Sequence, residues 1–478
     1  MNKKTDYDIC IIGGGAAGLV TAAGAASLGA KVILIEKYRL GGDCLYTGCV
    51  PSKTMIHSAE VAHIVKTSHK FGVTAQLGDI TQSTVMKRVA DVIKTIEPHD
   101  SPERFRAMGV EVVFAEAQFV AEDCVLVDGR EITARKFVLA TGSRPFIPPI
   151  SGLENISYHT NETIFDVTET IEHLIVVGSG AIGCEMAQSF ARLGAKVTLL
   201  SNTGLLPVED SDMSDVVKQQ FISDGIDLHL NVLLKRIEKT DKGVGVEIKG
   251  DHHDKSNSIE GSHLLIATGR QSNIENLGLV QAGVKTEHGR LVVDARLRTS
   301  NKRIYACGDV AGPYLFTHMA EHQAGVVLRN TLFHLPAKSQ TEGIPWCTFT
   351  SPELARVGLS EHDAQQKNIR HRVYTFPFDE VDRAITDGDT MGMAKIITSP
   401  KGKLLGACIV GAHAGELIAE YVLAISQGLN VSALSNTIHI YPTLAHINRR
   451  VADQRMKEAL TPRRKRWIKC LFGLRGMH

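Results

Sequence analysis

Residues 7–36 read YDICIIGGGAAGLVTAAGAASLGAKVILIE, and they decide the fold. Tyr7–Ile12 is a short apolar run that stops at Gly13-Gly14-Gly15-Ala16-Ala17-Gly18. A helical stretch through about Leu28 follows. A second apolar run, Lys31–Ile35, then closes on Glu36. Strand, glycine turn, helix and strand make one βαβ unit, the context in which G-x-G-x-x-G has a defined use. The first glycine makes a tight turn. The second admits a pyrophosphate, and the third lets helix and strand pack. The helix start adds unpaired N–H groups and the positive end of its dipole. Glu36 lies 23 residues after Gly13, where an acid can accept from a ribose hydroxyl. Gly13, Gly15, Gly18 and Glu36 are therefore read as dinucleotide-binding residues.

The unit repeats. His173–Val177 is the strand, Gly178-Ser179-Gly180-Ala181-Ile182-Gly183 the turn, and a helix to about Leu193 leads into Lys196–Leu200. "SLGAKVILIE" aligns with "RLGAKVTLLS". Both copies keep all three glycines, so Gly178, Gly180 and Gly183 mark a second dinucleotide. Where Glu36 stands in the first copy, the second has Ser201 and then Asn202. No carboxylate is there for both ribose hydroxyls, and no Arg follows to grip a 2′-phosphate. The missing acid tilts the second cofactor toward NADPH. Two further strands, Phe137–Gly142 and Leu264–Gly269, end in Ala-Thr-Gly. Thr141, Gly142, Ala267, Gly269 and the adjoining Arg270 are read as lying near the cofactors. Asp309, in "IYACGDV", reads by itself as a turn acid. After about Pro345 the glycine turns give way to alternating strands and helices such as Glu416–Gln427, a third domain of α+β type.

A chain of 478 residues suits about three domains at roughly 100–200 residues each. The net charge of +1 gives the chain as a whole no electrostatic footprint for nucleic acid. Residues 9–30 are nearly all apolar or Gly and follow Lys3 and Lys4, but Asp6, Asp8 and repeated glycines argue against a signal peptide or a membrane span. Nine cysteines in this length do not make a disulfide scaffold. Seven stand singly, and most of these read as small buried hydrophobes. A reducing compartment, the cytoplasm, is expected. His252-His253 reads as a solvated loop.

Cys44 and Cys49 form the one close pair, in Gly-Gly-Asp-Cys-Leu-Tyr-Thr-Gly-Cys-Val-Pro-Ser-Lys, residues 41–53. In a regular helix such positions differ by ~7.5 Å of rise and point ~140° apart. A disulfide needs Cα atoms about 4.4–6.8 Å apart, so an ideal helix cannot bridge them. Gly48 permits the distortion, and Pro51 suits the first turn of a following helix. A helix start lowers a thiol pKa, and Lys53 adds positive charge. Neighbouring Cys or His for a metal site are lacking, so no metal is expected.

This combination resembles the pyridine nucleotide–disulfide oxidoreductases of the glutathione reductase, dihydrolipoyl dehydrogenase and mercuric reductase type, over about residues 6–460. Pro51-Ser52-Lys53 looks like the lipoamide and mercuric branch. The resemblance implies an α/β fold. An FAD-binding domain is made from 1–150 and 271–344, an NAD(P)-binding domain from 151–270, and an α+β dimerisation domain from 345–460. It implies FAD on the first motif and NAD(P)H on the second. Asp309 would lie beside the flavin ribityl chain, with Ala117 and Ala320 as further backbone contacts. Cys44 is similar to the thiol that meets substrate and Cys49 to the thiol against the flavin. Lys53 is similar to a lysine near flavin N5, paired with Glu185. The family works as a homodimer whose active sites draw on both chains.

One segment breaks the pattern. Dithiol reductases of this family end in His-x-His-Pro-Thr-x-x-Glu, whose second His is the base. Here His439-Ile440-Tyr441-Pro442-Thr443-Leu444-Ala445-His446 puts Tyr441 in place of the base and His446 in place of the Glu. A tyrosine pKa near ~10 is too high for an efficient base at pH 7. Tyr441 with His446 could do modified proton work, His439 could substitute, or the segment carries no proton. Mercuric reductases end in a vicinal Cys pair, and only Cys470 stands here. Asp43, Tyr46 and Thr47 replace the commoner Thr, Asn and Val. The expected path runs from NAD(P)H through FAD to Cys44–Cys49 and on to a disulfide-type acceptor. A metal ion, a quinone, or a low-turnover redox sensor at a membrane are the alternatives. The last idea comes from residues 461–478, where Arg463, Arg464, Lys465 and Arg466 precede Trp467, Ile468, Leu471, Phe472 and Leu474 as in an interfacial helix.

Overall fold

A computed structural model of the chain describes residues 5–250 and 257–476. His252-His253 lies outside the described residues. The chain divides into two compact units. One runs to Thr203 and resumes over Ile226–Gln340, and the other joins Gly204–Gly225 to the chain from Thr341 onward.

The first unit opens with β1 (Tyr7–Ile12), α1 (Ala16–Ser27) and β2 (Val32–Glu36). The cysteines follow on α2 (Gly42–Tyr46) and α3 (Cys49–Thr67). Then come β3 (Val110–Phe114) and β4 (Arg130–Leu139). These strands are hydrogen-bonded in the order β3-β2-β1-β4, all parallel, with Ile9 opposite Val32 and Lys136. A parallel sheet is covered on both faces, so its strands read as continuous apolar runs. Ile9, Cys10 and Ile11 accordingly have no exposed surface. The sequence turns back between β1 and β4, and a crevice opens there at the carboxyl ends of the strands.

The same design recurs with β5 (His173–Val177), α4 (Ala181–Arg192), β6 (Lys196–Leu200), β7 (Asp227–His229) and β8 (His263–Ile266). The order is β7-β6-β5-β8, again parallel. The chain then returns to the first sheet, where β9 (Ile304–Ala306) pairs with β4, and continues into α5 (Thr317–Leu332). Gly24 on α1 is a close-approach glycine, since a Cβ there would lie 2.5 Å from Leu328 of α5.

The second unit is built on a five-stranded antiparallel sheet made of Pro345–Thr348, Glu353–Gly358, Arg372–Pro377, Met393–Thr398 and Leu404–Gly411. Ala355, Ile396, Ala407 and Ile409 are fully buried and form its core with Tyr421 and Val451. Gly204–Gly225 falls inside the stretch that the sequence alone gives to the second dinucleotide domain, yet it packs with this sheet. Its helix buries Met213, Val217 and Phe221, and part of the contact is ionic. The Lys395 side chain, 3 % exposed, reaches Asp210 at 3.2 Å, Asp212 at 2.9 Å and Glu361 at 2.8 Å. Beside it Arg356 lies 4.3 Å over the Trp346 ring and donates to the Val208 carbonyl at 2.8 Å. Trp346 donates to Glu209 at 2.7 Å. At the end of the chain Pro462–Phe472 is a helix with no buried residue. Among the described residues no helix is long and apolar enough to cross a membrane.

Removing a charge from a buried cluster leaves its partners uncompensated. Lys395→Ala is expected to cost about 3 kcal/mol, the lower end of the usual range, because Asp212 and Glu361 are partly exposed. Urea denaturation followed by tryptophan fluorescence measures it, and a loss below about 1 kcal/mol would refute the ionic account.

Candidate active site

The two glycine turns can be dissected by asking what a Cβ would meet. At Gly13 it would lie 2.3 Å from the Ala140 carbonyl oxygen, and at Gly18 1.9 Å from that of Gly13. The second copy repeats this, with Gly178 2.2 Å from the Ala267 oxygen and Gly183 2.0 Å from the Gly178 oxygen. The first and third glycines are thus dictated by the polypeptide itself. The middle ones are not. A Cβ at Gly15 would approach nothing closer than the Gly42 Cα at 3.8 Å, and one at Gly180 nothing within 4 Å. Only a group from outside the chain requires glycine there. Gly15 and Gly180 are also the N-caps of α1 and α4, so each helix start faces that space with no side chain across it. Both cradles fit a pyrophosphate.

Beyond the turns the copies differ. Glu36 accepts from Gly14 N at 2.6 Å and Tyr38 N at 2.8 Å. The equivalent pair in the second copy is Ser179, whose hydroxyl donates to Ser201 at 2.8 Å, with Thr203 3.1 Å from Ser201. A neutral hydroxyl cluster therefore stands where the first copy has a carboxylate.

The two Ala-Thr-Gly segments meet each other. Thr141 donates to the Asn273 carbonyl at 2.6 Å, and Thr268 to that of Phe146 at 2.9 Å. Gly142 and Gly269 lead into short strands that pair Arg270 with Pro145 and Ser272 with Ser143. The Arg270 guanidinium, 11 % exposed, donates to the Ser143 hydroxyl at 2.7 Å and lies 3.7 Å from Asp309. Ser143 in turn donates to Asp309 at 2.5 Å. Burial raises the Asp309 pKa. Ala117 and Ala320 are buried.

The cysteines lie at the join of two helices. Cys44 is inside α2, and Cys49 is the first residue of α3, with Thr47 and Gly48 breaking the helix between them. They stand as two thiols in mutual hydrogen-bond contact. The Cys49 sulfur is also 3.6 Å from the hydroxyl of Thr317, the first residue of α5. Lys53, one turn along α3, is 2.8 Å from Glu185 on α4. The contact with Cys44 lowers the Cys49 pKa to about 6, helped by Thr317 and Lys53 against the cost of burial. The same contact, with burial, pushes Cys44 up. Cys307, fully buried, is pushed up to about 12, as an inert thiol should be.

Tyr441 and His446 belong to the second unit. Tyr441 is exposed, and its hydroxyl donates to Asp382 at 2.8 Å, which raises its pKa. The His446 ring lies edge-on, 6.1 Å away between centroids. Its pKa is lowered by burial and by Arg450 and Arg449. His439 faces Glu420 through Nε2 at 3.0 Å and the Thr437 carbonyl through Nδ1 at 3.1 Å. Both ring nitrogens are thus engaged within the second unit. Thr317, Asn161, Asp382 and Glu420 were missed in the sequence. Each acquires its place through a partner distant in the chain, and no local motif marks it.

Two family models match. One, described as pyridine nucleotide-disulphide oxidoreductase, covers residues 7–324, and the other, its dimerisation domain, covers residues 344–451. A mercuric reductase of Bacillus cereus is 36% identical over 92% of this chain and 70% of its own length. A dihydrolipoyl dehydrogenase of Buchnera aphidicola is 33% identical over 93% of this chain and 95% of its own. Among solved structures, the HOCl-induced flavoprotein disulfide reductase RclA of Escherichia coli superposes with a TM-score of 0.82 at 28% identity, covering 94% of this chain and 99% of that one.

The middle-glycine geometry gives a test. Gly180→Ala is expected to fold, since its Cβ enters open space, but to weaken nucleotide binding at least tenfold, about 1.4 kcal/mol. Gly15→Ala should do the same to flavin retention. Equilibrium binding to purified variants with unchanged circular dichroism checks both. Full affinity in Gly180→Ala would remove the assignment.

Proposed function

The chain belongs to the pyridine nucleotide-disulphide oxidoreductase family, and we propose that its Cys44–Cys49 pair passes electrons to a disulfide without a protein base to serve it. It is an FAD-dependent NAD(P)H disulfide oxidoreductase. The family binds FAD and uses pyridine nucleotides, and FAD supplies the two-electron relay between nicotinamide and disulfide. NADPH is the favoured donor in this reading, because the Ser179–Ser201 hydroxyls offer no carboxylate to the two ribose hydroxyls. A homodimer is supported by the match to the dimerisation domain.

The electron and proton count is as follows. Two electrons and one proton convert the Cys44–Cys49 disulfide to a thiol and a thiolate. The Cys44 thiolate attacks the acceptor disulfide, and a mixed disulfide forms as one acceptor thiolate leaves. Cys49 then attacks Cys44, the second acceptor thiolate leaves, and the pair is a disulfide again. The attacking form is the thiolate, so Cys44 must first lose any proton it holds.

One observation carries the reading. Where dithiol reductases keep a base, Tyr441 is a proton donor to Asp382. Exchange should therefore follow the Cys44 thiolate fraction, which rises about tenfold per pH unit below the thiol pKa. An acceptor whose leaving thiol has a low pKa is favoured, since no acid is supplied to it. Mercuric ion is the competing acceptor, supported by relatives named for that activity.

We expect NADPH oxidation with an activated aryl disulfide to exceed that with lipoamide at least about tenfold at pH 7, a difference of ~1.4 kcal/mol in barrier. Cys44→Ser should abolish both. Faster lipoamide turnover would sink the base-free account. Faster Hg(II) turnover would make the metal ion the acceptor, and quinone reduction that survives Cys44→Ser would belong to the flavin alone.

A second reading concerns the tail. Residues 461–478 hold six of the 53 Lys and Arg residues and none of the 52 Asp and Glu residues, so the tail carries +6 and the rest −5. Trp467, Leu471, Phe472 and Leu474 are exposed. This segregation supports a peripheral contact with an anionic lipid surface. Co-sedimentation with phosphatidylglycerol vesicles, absent with phosphatidylcholine and lost on deleting 461–478, is the expected result. Equal pelleting of the truncated chain would exclude it.

A further inference from the structure

The stretch between the two sulfurs is held folded from outside. Asn161 is 7% exposed, and its side-chain nitrogen carries two N–H groups. That nitrogen donates to Asp43 Oδ1 at 3.1 Å and to the Thr47 carbonyl at 3.0 Å. One amide thus ties the residue just before Cys44 to the helix break just before Cys49. Thr47 adds a donation from its hydroxyl to Asp43 Oδ1 at 2.6 Å and from its backbone N–H to the Asp43 carbonyl at 2.9 Å. Gly48 lies against the same acid. A Cβ there would be 2.9 Å from the Asp43 carbonyl oxygen and 3.1 Å from Oδ2.

Both anchors of this loop flank the second dinucleotide fold. Asn161 comes before β5, in a turn where the Ile164 N–H donates to the Thr160 carbonyl at 3.0 Å and the Glu162 N–H to the Thr160 hydroxyl at 3.2 Å. Ile164 is fully buried. Arg270 comes after β8 and reaches Asp43 Oδ2 at 3.1 Å, while Ser143 holds its guanidinium through hydroxyl and carbonyl. The loop is therefore fastened to segments that carry neither sulfur.

A disulfide forms only within a narrow range of Cα separation and Cβ direction. A loop free to open gives up that freedom at every closure, whereas a loop already folded closes at little entropic cost. We propose that Asn161 is a positioning residue for the Cys44–Cys49 disulfide: its amide, bridging Asp43 and the Thr47 carbonyl, keeps the loop folded in the dithiol form so that closure needs no backbone rearrangement. This rests on reading Cys44 and Cys49 as the redox pair. The step it serves is the resolving one. The Cys49 thiolate attacks Cys44 of the mixed disulfide, the Cys44–Cys49 bond forms, and the acceptor thiolate leaves with the electron pair of the broken bond.

The test equilibrates the FAD-loaded full chain in dithiothreitol redox buffers of graded potential. Quenching with iodoacetamide and peptide mass spectrometry then count the alkylated Cys44 and Cys49. Asn161→Ala should make closure about tenfold less favourable, which raises the midpoint potential by about 30 mV. Offered an aryl disulfide, the reduced variant should also accumulate the mixed disulfide at Cys44. Thr47→Val removes one hydroxyl from the grip and leaves the amide in place. Its closure should weaken about threefold, or ~15 mV, and it decides the matter if Asn161→Ala does not fold. Lys395→Ala loses stability in the other unit and should keep the wild-type midpoint. Midpoints for Asn161→Ala and Thr47→Val that overlay wild type would overturn the proposal. So would an equal rise in Lys395→Ala, because loss of stability alone would then explain the shift. A wild-type pair that never exchanges two thiols for a disulfide across the series would remove the redox pair itself, whereas a normal transition that the variants leave unmoved would remove only the role of Asn161.

Discussion

A carbonyl oxygen that leaves no room for a methyl group governs the first unit. The Cβ that Gly18 lacks would sit 1.9 Å from the Gly13 oxygen, and the one that Gly183 lacks 2.0 Å from the Gly178 oxygen. Because both positions are bare, α1 and α4 start directly against the ends of β1 and β5. Their unpaired N–H groups then face the crevice where each sheet reverses order. That one steric condition, met twice, fixes two phosphate cradles on one chain. Everything else in the site is arranged around the space between them.

Arg270 shows how the cradles are tied together. It follows the second Ala-Thr-Gly segment, yet its partners are Ser143 after the first segment, Asp309 after β9 and Asp43 beside the cysteine. A guanidinium satisfies several acceptors at fixed angles, which a lysine could not do. Lys53, one turn beyond Cys49, makes a second link, to Glu185. Two ion pairs thus adjoin the cysteine segment.

Much of this was legible in the sequence, for a physical reason. The turn glycines obey local sterics, so spacing alone identifies them. The need for a break between Cys44 and Cys49 follows from helix geometry, and Gly48 supplies it. The clamp on Asp43 was not legible, because its partners are Asn161 and Arg270, more than a hundred residues on. The same holds for Tyr441, whose acceptor Asp382 lies 59 residues earlier on a helix, and for His439, which faces Glu420. The sequence showed that the usual base was missing. It could not show that a proton donor had been fixed in its place.

The cluster at Lys395 bears on modularity. A segment lying in sequence between two strands of the second dinucleotide fold, Gly204–Gly225, belongs to the second unit and supplies Asp210 and Asp212 to Lys395 there. The nucleotide half therefore cannot be exchanged with a relative's as one continuous cassette cut at its sequence borders. Such a graft would import a foreign helix into the C-terminal unit and strip Lys395 of two of its three carboxylates, leaving only Glu361. Recombination within this lineage must either carry that helix along with its acceptor sheet or leave it behind, which makes an interrupted module the natural unit of inheritance.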